Sequence, residues 1–282
     1  MICIKISALY LLLFSAFAFI PCTARPMAGK PIQDMPMKAS KIKMPDGEYI
    51  RMGAYSGGEK TEEWDIVTRI DRGKTARIYW QALNIRLKQK LPSHYTNFCT
   101  YNYTVDLENG NQLFSTYQNP VTNEKGVIRS VFRLNMEKSE VESETEIWDG
   151  NDIKNAKTRT PVRRGFAVID PGMLFFAPRF LDVKGSGIIY ICEPRGLKNP
   201  LPVFFRYIGK EKVKTPAGEF DTFKVSWIIA DPFLAKLLQP YIKESFLWVE
   251  DSPRLLVVKT TGFNDTRYIL EEVSTAGEKG WK

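Results

Sequence analysis

The chain has 282 residues, a net charge of +8 and 44% hydrophobic residues, so it has enough apolar side chains for a sizeable core and is not disordered throughout. Its Gly and Pro residues are scattered among 17 Phe, 12 Tyr and 6 Trp, and no long repeat occurs, which favours a turn-rich β protein over coiled coils and solenoids. The single histidine, His94, excludes metal sites built on pairs of histidines.

The chain begins with the pattern of a secretory signal peptide. Lys5 precedes the uncharged apolar run of residues 6–20, which is shorter than the roughly 20 residues that a membrane span needs. Small residues at Cys22 and Ala24 predict cleavage after Ala24, so that residues 1–24 form the signal peptide. A lipidated Cys22 and an uncleaved anchor remain open as alternatives.

Export predicts a periplasmic or secreted location, where oxidising conditions permit disulfides. After cleavage Cys99 and Cys192 remain, and this even pair predicts a disulfide, with two separately buried thiols as the alternative. The two cysteines lack the further ligands of a metal site, so no metal is expected. Basic and acidic residues are interleaved along the chain, which argues against nucleic acid as a partner. We expect at most a peripheral contact with a membrane.

The first half of the chain predicts a leader and a set of antiparallel strands. Residues 25–44 are rich in Pro, Met and Lys and indicate a flexible leader before one β-rich domain at residues 45–275, with residues 276–282 as a C-terminal tail. Alternating apolar and polar residues predict strands at residues 62–70, 75–83, 97–107, 112–117, 126–134 and 140–148. The basic stretch that follows, which contains Lys157 and Arg159, is interpreted as a solvated loop.

The second half of the chain adds strands and two short helices. Asp170 and Asp231 each stand before a proline and an apolar run, which is the pattern of a capped helix start. Further strands are predicted at residues 188–192, 201–208, 210–214, 219–229, 245–249, 255–261 and 267–273. The fold class is therefore mainly β, an antiparallel curled sheet or incomplete barrel of about thirteen strands with two short helices.

The two helical segments carry more large apolar side chains than short helices usually expose. These side chains form the candidate ligand site: Phe175, Phe176, Phe180, Phe233, Leu234, Leu237, Leu238 and Tyr241. They either fill the sheet as an ordinary core or line the mouth of an apolar pocket, and the sequence leaves both readings open.

One block of the sequence resembles a known family. Residues 213–225 (VKTPAGEFDTFKV), then Leu247-Trp248-Val249 and the proline-led strand at residues 253–259, resemble exported bacterial β-rich proteins of unknown function with a T-P-A-G-x-F-D-T hairpin. Residues 45–49 resemble the opening strand of that family. The resemblance implies a curled sheet, an envelope location, a remote similarity to periplasmic carriers of lipoproteins and an apolar ligand, and it implies no catalytic residues.

The sequence carries no enzyme motif. Ser93 beside His94 is not a triad, and no serine lies in a G-x-S-x-G elbow. We therefore expect a non-enzymatic, exported protein of the cell envelope that needs no cofactor and binds a lipid or another apolar ligand. The alternatives are a structural or adaptor protein with a filled core that binds another envelope protein, and a hydrolase that uses His94.

Overall fold

The protein is mainly β, and its strands form a single large sheet. The computed structural model describes residues 45–71, 74–84, 98–107, 112–119, 128–135, 138–148, 153–163, 165–192, 200–238, 245–261 and 266–275. The first eight strands are β1 Glu48–Ser56, β2 Glu59–Asp71, β3 Thr75–Asn84, β4 Phe98–Asp106, β5 Gln112–Asn119, β6 Ile128–Asn135, β7 Glu140–Trp148 and β8 Ile153–Pro161. The other strands are β9 Val168–Ile169, β10 Gly187–Ile191, β11 Leu201–Thr215, β12 Gly218–Ile229, β13 Ser245–Glu250, β14 Val257–Thr261 and β15 Arg267–Thr275.

The sheet is a long meander in which the first and last strands pair. Its strand order is β8-β7-β6-β5-β4-β3-β2-β1-β15-β14-β13-β12-β11-β10-β9. Neighbouring strands are antiparallel, except that β9 and β10 are parallel. The edges of the curled sheet are β8 and β9, and no backbone pairing joins them within the described chain, so the barrel is incomplete as expected.

The expected number of about thirteen strands is wrong, because the sheet has fifteen. The strands β1, β8 and β9 were not counted from the sequence. Conversely, residues 201–208 and 210–214 belong to one strand, β11, which continues through a bulge between Tyr207 and Gly209. A glycine next to a bulge looks like a strand end in the sequence, although the ladder with β12 runs on past it.

The basic stretch that the sequence presents as a loop forms the edge strand β8. Its Lys157 ammonium lies 2.6 Å from the Glu144 carboxylate of β7, and the Arg159 guanidinium lies 3.1 Å from that of Glu142. These cross-strand pairs explain why a strand with basic residues at alternating positions is stable next to a strand with glutamates at alternating positions. All four side chains are partly exposed, so each pair contributes little to stability.

The two short helical regions begin where the sequence predicts. They consist of a 3₁₀ helix, Pro171–Phe175, which continues into helix α1, Ala177–Phe180, and of helix α2, Pro232–Leu238. The Asp170 carboxylate accepts the N–H of Gly172 at 2.9 Å, and the Asp231 carboxylate accepts that of Leu234 at 2.8 Å. Within the described ranges, none of the helices has the length and apolar character needed to cross a bilayer.

The first helical region lies inside the curl of the sheet and fills it. We call residues 170–183 the plug. Met173, Phe180 and Leu181 of the plug are at most 2% exposed, and they belong to one apolar cluster with residues of β1–β4 and β10–β15. The plug is therefore part of the hydrophobic core, and its burial favours a sheet that curls around it.

A second, small apolar cluster brings the two ends of the sheet together. Val141 of β7 packs with Val168 of β9 and with Cys192, which directly follows β10. Since β7 and β9 lie near opposite edges of the sheet, this contact means that the sheet ends approach each other through side chains. The curl is closed by packing where it is not closed by backbone hydrogen bonds.

Candidate functional site

The N-terminal end of the plug is fixed by a buried carboxylate. Asp170 is 6% exposed, and its side chain accepts hydrogen bonds from the N–H groups of Gly172 and Met173. It also accepts from Gln112 Nε2 at 3.2 Å and from Ser115 Oγ at 3.1 Å, both on β5. One carboxylate thus caps the 3₁₀ helix and ties it to the sheet, because hydrogen bonds replace the water lost on burial.

The other end of the plug is fixed by a buried ion pair. Arg179 of α1 and Glu48 of β1 have side chains that are each 2% exposed. Arg179 Nη1 donates to Glu48 Oε2, and Nη2 donates to Oε1 at 3.1 Å, so the contact is bidentate. The plug therefore has a defined position in the sheet at both ends.

An exposed contact holds the turn that follows the plug. The Asp251 carboxylate accepts hydrogen bonds from Lys184 and Lys210, each at 2.7 Å. These two ammonium groups lower the pKa of Asp251 to about 2. The Lys184 ammonium also lies 4.4 Å from the centre of the Phe223 ring. Lys184 thus connects the turn after the plug to β12 and to the turn after β13.

Aromatic rings line the inner face of the sheet beside the plug. We call the following five residues the aromatic wall: Trp64 of β2, Trp80 of β3, Tyr101 of β4, Tyr268 of β15 and Phe175 of the plug. The ring centres of Trp64 and Trp80 are 4.5 Å apart, those of Trp64 and Tyr268 4.2 Å, and those of Trp80 and Tyr101 5.1 Å. Phe175 meets Trp64 and Trp80 edge to face, which is a favourable ring geometry.

The aromatic wall is buried at its centre and partly open at its margin. Trp64 is 7% exposed and Trp80 4% exposed, whereas Tyr101, Phe175 and Tyr268 are half-buried. Trp64 Nε1 donates to Glu62 Oε2 at 3.0 Å. Trp80 Nε1 is buried without a hydrogen-bond partner in the described structure, which is costly for a polar group. The wall therefore combines three half-buried rings with an indole N–H that has no acceptor among the described residues.

The structure places part of the predicted ligand site. Phe176 and Phe180 are at most 2% exposed and belong to the core, while Phe175 lies in the aromatic wall. Leu234 of α2 is half-buried. The side chains of Phe233, Leu237 and Leu238, and the whole of Tyr241, lie outside the described residues, so their part in a ligand site stays a prediction.

Most of the aromatic wall was not predicted from the sequence. Trp64, Trp80 and Tyr101 each lie on a different predicted strand. The alternation within each strand indicates which face of that strand the residue occupies, but not which residues of other strands it meets. Their meeting depends on the pairing register, in which Trp80 is opposite Ile66 of β2 and Tyr101 of β4. Tyr268 joins them only because β15 pairs with β1, and this long-range contact leaves no local signal.

The predicted disulfide is not decided by the described residues. Cys192 is 5% exposed and packs with Val141 and Val168. Cys99 lies on β4, and its side chain is outside the described part of the chain. Pairing of the two cysteines therefore stays a prediction.

The described residues offer no cluster of metal ligands. None of their His, Cys, Asp and Glu side chains cluster as three potential metal ligands, and Ser93 and His94 lie outside the described part. Burial and a hydrogen bond to Asp65 raise the pKa of Tyr49 well above its usual value, and burial and a hydrogen bond to Glu271 raise that of Tyr55. A tyrosine with a raised pKa stays protonated, so neither phenol is an activated nucleophile.

Comparison with known proteins gives remote structural likenesses. No protein-family model matches the chain, and no curated protein matches its sequence. A protein of Bacteroides fragilis with a YmcC-like fold, thought to be exported, is 13% identical over 84% of this chain and 100% of its own, with a TM-score of 0.32. A protein of Parabacteroides distasonis thought to be a lipoprotein is 13% identical over 86% of this chain and 100% of its own, with a TM-score of 0.31. A β-barrel-like protein of Brucella abortus, from a domain of unknown function called DUF1849, is 7% identical over 83% of this chain and 99% of its own, with a TM-score of 0.45. No functional statement about this chain follows from these likenesses.

Proposed function

We propose that the protein is an exported, non-enzymatic protein of the cell envelope that binds an apolar ligand against the aromatic wall. The signal-peptide pattern of residues 1–24 supports export. The aromatic wall supports the ligand, because it presents apolar rings on the inner face of a curled sheet whose edge strands β8 and β9 do not pair in the described chain.

The half-buried rings at the margin of the wall carry this proposal. Phe175, Tyr101 and Tyr268 are half-buried, although the neighbouring core residues are almost completely buried. An acyl chain that lies across these rings would remove both its own surface and theirs from water, at roughly 0.8 kcal/mol per buried methylene. The surface thus fits a flexible hydrocarbon chain.

The buried indole N–H of Trp80 supports a ligand that is not purely hydrocarbon. Its Nε1 atom has no acceptor among the described residues, although Trp80 is only 4% exposed. A ligand oxygen at this position would remove the cost of the unpaired donor. A fatty acid has both the chain and a carboxylate oxygen as the acceptor. An esterified lipid has the chain and an ester oxygen.

The proposal can be tested with a fatty acid that quenches tryptophan fluorescence. Dibromostearate bound at the aromatic wall should quench Trp64 and Trp80, because its bromine atoms quench indoles in direct contact. Phe175→Ala should weaken the binding roughly tenfold, since the lost ring contributes roughly 1.5 kcal/mol of apolar contact. Phe246→Ala is the matched control, because Phe246 lies on the opposite face of β13 from the buried Leu247 and packs under Lys224.

The outcomes separate the two functions that remain. Saturable quenching that Phe175→Ala weakens and Phe246→Ala leaves unchanged supports the ligand-binding function. If the parent protein shows no saturable quenching, the proposal is wrong and the adaptor function takes its place. The adaptor function has its own supporting observation, because Met173, Phe180 and Phe205 fill the centre of the curl with side chains that are at most 1% exposed.

A further inference from the structure

The outer face of β12–β14 carries a tryptophan between two lysines. Lys224 of β12 is paired with Trp248 of β13, and Trp248 is paired with Lys259 of β14. Directly paired residues share a face of the sheet, so these three side chains form one row across three strands, which we call the lysine row. Leu247 and Val249, on either side of Trp248, are at most 2% exposed and belong to the core inside the curl. The lysine row therefore lies on the opposite face of the sheet from the plug.

Both lysines of the row hold their ammonium groups over the indole ring. The Nζ atoms of Lys224 and Lys259 lie 4.8 Å and 4.4 Å from the centre of the Trp248 ring. These distances are in the range of cation–π attraction, which holds two flexible side chains at one place. Trp248 is only 5% exposed, although it is on the outer face of the sheet. Two positive charges are thus concentrated at one covered ring.

The two lysines lack the close carboxylate partners that other lysines of the sheet have. A carboxylate oxygen lies at 2.6 or 2.7 Å from the ammonium groups of Lys60, Lys157, Lys184 and Lys210. The Glu211 carboxylate is 3.9 Å from the Lys224 ammonium, which is beyond hydrogen-bond distance. Lys259 takes part in no ion pair among the described residues. The next acid on this face of β13, Glu250, accepts two hydrogen bonds from Arg254.

The indole N–H of Trp248 is a third donor at the same place. Its Nε1 atom is buried and has no hydrogen-bond partner in the described structure, which is costly for a polar group. Nε1 belongs to the ring over which both ammonium groups lie. An anion that binds the ammonium groups therefore comes within reach of this N–H, because the half-buried lysine side chains are flexible enough to admit it. The lysine row thus offers two positive charges and three groups that donate hydrogen bonds.

We infer that the lysine row binds the phosphate group of a phosphate monoester. Such a group carries nearly two negative charges at pH 7 and has three terminal oxygen atoms, which match the two ammonium groups and the indole N–H. A carboxylate carries one charge and two oxygen atoms, so it is the poorer match. The inference goes beyond the proposed function and does not depend on it, because the lysine row and the aromatic wall lie on opposite faces of the sheet.

The inference can be tested by NMR on the indole N–H signal of Trp248, which Trp248→Phe identifies. Glycerol phosphate should shift this signal in a saturable way at constant ionic strength, and acetate should bind at least roughly tenfold more weakly. The combined substitution Lys224→Gln and Lys259→Gln should weaken the binding of glycerol phosphate by roughly tenfold or more, because it removes both charged donors. Lys212→Gln is the matched control and should bind like the parent, since the Lys212 side chain is 72% exposed on β11. The other indole signals report whether each variant is folded.

Vesicles distinguish the two sources of such a phosphate group. The protein is sedimented with phosphatidylcholine vesicles that either contain or lack phosphatidic acid, whose head group is a phosphate monoester. Vesicle binding that requires both phosphatidic acid and the two lysines would assign the site to a membrane lipid. A saturable shift by glycerol phosphate without vesicle binding would assign it to a soluble monoester.

Three results would overturn the inference. They are binding of neither probe, equal binding of acetate and glycerol phosphate, and undiminished phosphate binding by the folded double variant. None of them affects the proposed function, which the binding of dibromostearate tests separately.

Discussion

The buried ion pair between Arg179 and Glu48 makes a strong prediction about the stability of the plug. Arg179→Met should destabilise the protein by roughly 3 to 5 kcal/mol, because it leaves the Glu48 carboxylate buried without its partner. The structure supports the upper part of this range, since both side chains are only 2% exposed and the contact is bidentate. Water cannot replace the guanidinium without opening the contact between the plug and β1.

Replacing both partners should restore most of the loss. In the combined variant Glu48→Met and Arg179→Met, two apolar side chains of similar length occupy the site, and the free energy of unfolding should return to within about 1 kcal/mol of the parent. The coupling energy between the two sites should thus exceed about 2 kcal/mol. Lys157→Met is the matched control, because its ion pair with Glu144 is about half exposed and should contribute little to stability.

The assay is equilibrium unfolding in urea at pH 7, followed by tryptophan fluorescence and analysed by linear extrapolation. Equal slopes for the variants would show that they unfold from equally compact states. If Arg179→Met cost no more than Lys157→Met, the ion pair would not fix the plug, and the reasoning from burial would be refuted.

Three further predictions concern the plug and its attachment. Phe180→Ala should cost roughly 3 to 5 kcal/mol in urea unfolding, and Phe175→Ala clearly less, because Phe180 is 1% exposed and Phe175 half-buried. Gly172→Ala should lower the Tm, and Tyr103→Phe in the same chain should restore part of it, since a Cβ at position 172 would lie 2.2 Å from the Tyr103 hydroxyl. Asp251→Asn should lower the Tm at pH 7, and the deficit should vanish as the pH falls from about 4 to 2, because a lowered pKa stabilises the fold only while the carboxylate is ionised. A deficit at pH 2 that is as large as the deficit at pH 7 would contradict this cause.

The parts of the fold that were predicted are those that depend on local sequence. Alternating residues in β2, β3 and β7 specify strands within a few positions of their observed bounds. Asp170 and Asp231 each specify a helix start, because a capping carboxylate acts on N–H groups only two or three residues away. Both signals are complete within a short stretch of chain.

The parts that were not predicted depend on partners far away in the sequence. β8 has few apolar residues, and it is a strand because Lys157 and Arg159 meet the glutamates of β7. A segment inside the sheet and a lid over it have the same apolar pattern in the sequence. Contacts with distant residues distinguish them, such as that of Arg179 with Glu48, 131 positions away. The aromatic wall likewise depends on pairing between β1 and β15, the two ends of the described chain.

We expect the aromatic wall to hold a lipid-like molecule in the cell. The most direct measurement is native mass spectrometry of the protein after mild extraction from the envelope. Our account predicts that the parent carries an additional mass equal to that of an amphiphile, that Phe175→Ala reduces the occupied fraction, and that Phe246→Ala leaves it unchanged. Parent protein that appears only at the mass of its polypeptide, although it is folded and recovered in the same yield, would contradict the account.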